Sequence, residues 1–243
     1  MRKLLKHGFK ESWLEVVILN ACVIVSSIVL FIGIATAQMF LLTIGTAVFI
    51  GALASAGVII LMSISRSFHK KLFTNEGYLT LTTPVSLDKL LLSKIIVNMI
   101  WIFATVFSFA ISIFIMYAGI IILAGPAASF IFGVLVELIA QNPLSFILGI
   151  ITFLASVLFF LTALLFIIVL FNTGHKKRFK ILKGILLYYA FGIVFTMISY
   201  AVAYFLLFYP ITRTVVTIVI MLGLSVAFYF LSRFVIMRKL ELE

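Results

Sequence analysis

The sequence predicts an all-α integral membrane protein with six transmembrane helices and both termini cytoplasmic, and three observations carry that prediction. Hydrophobic residues make up 65% of the 243 positions and charged residues 10%, with a mean hydropathy of +1.37, more apolar surface than a soluble domain of this size can hide. Stretches free of Asp, Glu, Lys and Arg run over Val16–Ser65, Ile95–Val136, Leu138–His175, Gly184–Thr212 and Thr214–Ser232. Basic residues close these stretches on one side: 17 of the 18 Lys and Arg fall there, with Arg213 opposite, and a Lys/Arg excess marks the cytoplasmic face.

A spanning helix needs about 20 apolar residues, at about 1.5 Å rise each across a core about 30 Å thick. The first stretch therefore folds into two spans around a tight hairpin at "TAQMFLLT" (36–43), and each of the others holds one. The expected helices are 16–38, 42–64, 95–122, 146–171, 184–208 and 214–235, all within a single transmembrane domain over 1–243. Spanning strands would show alternating segments of about ten residues, which these continuous runs are not.

Three segments lie outside the spans. Residues 1–15 place Leu5, Phe9 and Trp13 four apart with Lys3, Lys6 and Lys10 on other faces, the pattern of an amphipathic helix lying in the interface near anionic membrane lipid. Residues 65–94 form the first cytoplasmic loop. Residues 123–145, punctuated by Gly125-Pro126 and Asn142-Pro143, suit a short external or re-entrant helix between spans three and four. This segment carries Glu137, the one outward acid and a candidate polar group at an external gate. Cys22, the single cysteine, falls inside the first span, where a small buried apolar role is expected.

Composition also excludes function classes. The net charge of +11 is the membrane-side bias already described, so no nucleic-acid partner is inferred. His7, His69 and His175 all sit in basic segments outside the spans, which leaves no imidazole for an intramembrane metal site or proton relay, and no metal is expected. Ser55 in "GALASAG" lacks an activating base at membrane depth, so a hydrolase reading fails. The spans carry no clearly placed charge, against a proton-coupled carrier. The phosphate-cradling G-x-x-x-x-G-K-[ST] is absent, so the chain is not expected to be an ATPase and holds no cofactor of its own. Polar groups in the spans are the candidate cargo contacts: Thr43, Thr46, Ser55, Asn98, Thr196 and Ser199. Each hydroxyl can instead bond its own helix one turn back, and Asn98 lies close enough to the cytoplasmic end to be hydrated.

The segment "EGYLTLTTPVSLDKLLLSK" (76–94) is the most informative. Thr83 can cap a helix whose first residue is Pro84, and Asp88 falls early in that helix, where the dipole favours an acid. "YLTLT" alternates with period two, which leaves a short strand open. The segment resembles the first cytoplasmic loop of ABC-2 type permeases, the membrane subunits of bacterial ATP-binding-cassette exporters. Glu76, Gly77, Leu79, Pro84, Val85, Ser86, Leu90, Leu91 and Lys94 match that loop's pattern.

The resemblance implies that Glu76, Gly77, Tyr78, Leu79, Thr80, Leu81, Thr82, Thr83, Pro84, Val85, Ser86 and Asp88 form a coupling element docked on a cytoplasmic ABC ATPase. It further implies two ATPase copies that bind ATP and Mg, a second permease chain (identical or different), and a location in the bacterial cytoplasmic membrane. The layout is also similar to small exporters of amphipathic toxin peptides of the phenol-soluble-modulin type. An interior poor in charge and a total of 36 aromatics suit an amphipathic peptide or lipid-like substrate. A substrate-binding subunit of an importer and an immunity-type permease giving self-resistance are the alternative readings.

Overall fold

A computed structural model of the chain describes residues 2–73, 86–125, 133, 137, 140–173 and 180–240. Among them are six long helices and no strand: α1 (Arg2–Thr36), α2 (Met39–Phe73), α3 (Leu87–Ala124), α4 (Pro143–Thr173), α5 (Lys180–Phe205) and α6 (Pro210–Leu240). Each contains a segment long and apolar enough to cross a membrane, so the chain is a multi-pass membrane protein.

Every helix is longer than the span expected for it. A charged residue ends an apolar stretch without ending the helix, because Lys, Arg and Glu are good helix formers. Residues 2–15, expected as a separate interfacial helix, continue into α1 without a break; at 35 residues α1 is about 52 Å long, well beyond a hydrocarbon core. Prolines set two of the starts. Pro143 and Pro210 occupy first helical positions, where a missing N–H costs nothing, and the Tyr209 carbonyl accepts the first α6 bond from the Arg213 amide at 2.9 Å. The helix expected from Thr214 therefore begins four residues earlier, and α5 ends at Phe205 rather than 208.

The α1–α2 hairpin falls where it was expected. Ala37 turns the chain with φ of 52° and its amide donates to the Ile34 carbonyl at 3.2 Å, while the Gln38 carbonyl accepts from the Leu42 amide to open α2. α3 closes on Gly125, whose φ of +63° and amide bond to the Ile121 carbonyl at 2.8 Å form a left-handed helix cap. Of the segment 123–145, expected to hold a short helix between spans three and four, residues 123–124 end α3, 143–145 begin α4, and 133, 137, 140 and 141 are helical.

The chain divides into two compact units, one of Ser65–Met99 and Leu144–Glu243, the other of Arg2–Ile64 and Ile100–Pro143. In the second unit Leu19, Val23 and Ala56 form a buried cluster flanked by Phe49, Ala52, Ile60 and Phe109. Glycine lets α1 and α2 approach closely there: a Cβ on Gly45 would lie 3.0 Å from the Leu30 Cα, and one on Gly33 the same distance from the Leu42 nitrogen. Phe9 packs edge-on against Trp101 at 5.4 Å, so part of the N-terminal apolar stripe meets protein. Cys22, expected to be buried, is exposed. Its neighbour Val23 takes the inward position, and one residue along a helix is about 100° of rotation.

In the first unit Ala155, Ile218 and Met221 are the buried centre, with Leu148, Phe159 and Phe195 around them. α4 is the most buried of the six helices, and no residue of Leu186–Phe205 is buried. That contrast follows the rule that a helix apolar on every side is an interior one, while an apolar exposed surface suits lipid contact.

Candidate functional site

The start of α3 brings together the charged and polar groups of the first unit. Ser86 stands at the position before the helix, its carbonyl accepting from the Leu90 amide at 3.3 Å. Thr83 and Pro84, the expected cap and first residue, lie outside the described residues, as do Glu76, Gly77, Tyr78, Leu79, Thr80, Leu81, Thr82 and Val85. Leu90, Leu91 and Ile95 are buried and fix which face of the helix points inward. Asp88 falls in the first turn, where the exposed amides and the dipole favour a carboxylate.

Both Asp88 oxygens are taken by residues of α6. The Tyr229 hydroxyl donates to Oδ1 at 3.1 Å and Arg233 Nη2 lies 3.2 Å from Oδ2. Tyr229 and Arg233 are one helical turn apart, the spacing that puts two side chains on one face. Asp88 and Arg233 are about a third exposed, at 37% and 38%, so water reaches the pair. Nothing in the sequence pairs Asp88, a residue of the expected coupling element, with Tyr229 or Arg233, because 141 residues separate Asp88 from Tyr229.

Two further polar groups lie deeper on α3. Lys94, read as a loop residue, is 6% exposed and donates through Nζ to the Ser67 hydroxyl at 3.3 Å. Asn98, a candidate cargo contact whose place also suits hydration, is 3% exposed, and its Nδ2 has no protein acceptor. The apolar stretch from Ile95 suggested a span start at that residue, but α3 begins eight residues earlier, which places Lys94 and Asn98 among packed side chains.

The other candidate cargo contacts are met within their own helices or at the surface. Thr43, Thr46, Ser55 and Thr196 are exposed, and each hydroxyl donates to a carbonyl of its own helix at 2.7–2.9 Å. Ser199 is half-buried. Glu137 is exposed and accepts from Gln141 Nε2 at 3.1 Å. Besides Ser63 on α2 and Ser93 on α3, the buried polar groups that sequence reasoning missed are Ser26 and Ser27 on α1, Thr105, Ser108 and Ser112 on α3, Thr162 on α4, and Ser225 and Ser232 on α6. Their recurrence at three- and four-residue spacing on α3 was the available signal. Each of the last eight also bonds a carbonyl of its own helix, which satisfies the hydroxyl without a partner helix. Trp101 Nε1 and Asn20 Oδ1, in the second unit, are buried without a protein partner.

Among the described residues no group of three or more His, Cys, Asp and Glu could hold a metal ion. The arrangement at Asp88 ties two helices together; it holds no nucleophile with an adjacent base. Comparison with protein-family models, curated proteins and solved structures found no match.

Proposed function

We propose that this chain is the membrane half of an ATP-driven exporter of the ABC-2 type, with both termini cytoplasmic and the segment 76–88 docked on a separate ATPase subunit. Two such chains and two ATPases make the working assembly, and the ATPases bind ATP and Mg. The cargo is an amphipathic peptide or a lipid-like molecule, since the six spans present mainly aliphatic and aromatic surface and such cargo is stabilised by apolar contact.

The observation that supports this most directly is Asp88. It stands at the end of the docking segment nearest the membrane helix, and it is held by Tyr229 and Arg233 of the last helix. A segment that receives force from a soluble partner needs such a mechanical connection to the spans. A loop that merely joins two helices does not.

The test is purification of the full chain with a candidate ABC ATPase subunit from the same genome, in phospholipid vesicles. Peptide- or lipid-stimulated ATP hydrolysis is expected, and Val85→Asp or Leu79→Asp is expected to abolish the stimulation while the chain still inserts. Wild-type stimulation in both variants overturns the docking assignment.

A further inference from the structure

α6 makes two kinds of contact within two adjacent residues. Tyr229, with Arg233, grips the Asp88 carboxylate of α3. Phe228 points into an aromatic cluster instead: its ring lies 5.4 Å from Phe166 in a stacked arrangement, 6.0 Å from Phe159 and 5.2 Å from Phe191. Phe159 in turn meets Phe195 at 4.9 Å. The cluster thus joins α6 to α4 and α5.

We propose that the Asp88 clamp makes the start of α3 and the C-terminal half of α6 one moving body, which passes a displacement of the docking segment through Phe228 to α4 and α5. The inference rests on the reading that residues 76–88 receive a partner's force. An aspartate carries its carboxylate on a single methylene, so the α3 backbone cannot move far without dragging its partners or breaking their bonds. Two donors on two different oxygens also prevent the carboxylate from swivelling to follow one of them. Phe228 is 9% exposed, and close-packed rings transmit displacement because interiors have low compressibility.

The full chain, with Cys22→Ala, is placed in nanodiscs of phosphatidylglycerol and phosphatidylethanolamine without any ATPase. Spin labels go to the exposed positions Leu92 on α3 and Phe234 on α6, and in a second sample to Phe234 and the exposed Leu186 on α5. The parent is expected to show one narrow distance population in each sample. Asp88→Asn is expected to add a second, longer population to the α3–α6 distance and leave the α5–α6 distance unchanged. Combining Asp88→Arg with Arg233→Asp is expected to return the α3–α6 distance to one population. An unchanged α3–α6 distance in Asp88→Asn overturns the proposal. So does a broadened α5–α6 distance, which would mark Asp88 as a general prop of the fold. Because no ATPase is present, these outcomes are independent of the Val85→Asp assay, which tests the docking itself.

Discussion

Arg233 Nη2 lies 3.2 Å from Asp88 Oδ2, and the Tyr229 hydroxyl reaches the other oxygen of the same carboxylate at 3.1 Å. The two contacts differ in what they contribute. An ion pair this exposed is screened and worth about 0.2–1 kcal/mol, whereas the part-buried Tyr229 hydrogen bond to the same water-reached carboxylate contributes about 0.5–1.5 kcal/mol. Tyr229→Phe is therefore expected to destabilise the chain at least as much as Arg233→Met, and 0.5 M salt is expected to narrow the effect of Arg233→Met alone. Thermal unfolding of detergent-solubilised variants, with and without salt, checks both expectations.

Ala37 carries a side chain at φ of 52°, a conformation that costs an L-residue about 1–2 kcal/mol and glycine almost nothing. Glycine also has more freedom to lose on folding, so Ala37→Gly should gain only about 0.5–1 kcal/mol. Ala37→Val, branched at Cβ, should lose more than that. A higher unfolding midpoint for the glycine variant and a lower one for valine are the expected readings.

Two glycines on α2 should respond oppositely to the same change. Gly45→Ala puts a methyl 3.0 Å from the Leu30 Cα, backbone that cannot step aside, and overpacking of this kind costs about 1–3 kcal/mol. A Cβ at Gly51 meets nothing within 4 Å, so Gly51→Ala should gain the helix-propensity difference of about 0.8–1 kcal/mol. Graded-denaturant unfolding of the two variants in mixed micelles separates them by sign.

Asn98 is buried with Nδ2 unpartnered in the protein. Leaving a polar group so costs about 1–3 kcal/mol. Asn98→Leu, of similar shape, should therefore be neutral or stabilising. A lower midpoint for Asn98→Leu would mean that a water or cargo group completes the amide in the working protein.

Phe228 and Phe208 test packing against lipid contact. Phe228→Ala empties the middle of the aromatic cluster, where loss of a buried Phe costs about 3–5 kcal/mol. Phe208 is 87% exposed, and Phe208→Ala should change the midpoint little. Equal effects would mean that the cluster is not packed as described.

The helix count and class were legible from composition because hydrocarbon thickness sets a fixed length for an apolar run, and every run passed it. The hairpin at Ala37 was legible for the same reason: Val16–Ser65 is too long for one span and long enough for two. Helix ends were less legible. Charge marks where lipid stops, while proline, caps and helix propensity mark where the helix stops, so α1 runs back to Arg2 and α6 forward to Leu240.

The sequence by itself determined that the chain carries six apolar segments long enough to cross a membrane, that its basic residues gather on one side of the expected spans, and that residues 76–94 are its most informative segment. Only the tertiary structure decided which polar groups meet. Whether Thr43 faces outward and Ser112 inward depends on helix rotation, where one residue is about 100° and an all-round apolar helix carries little bias in its pattern. The Asp88–Arg233 pair depends on two helix ends arriving at one place, and no local rule records an encounter between residues so far apart in the chain.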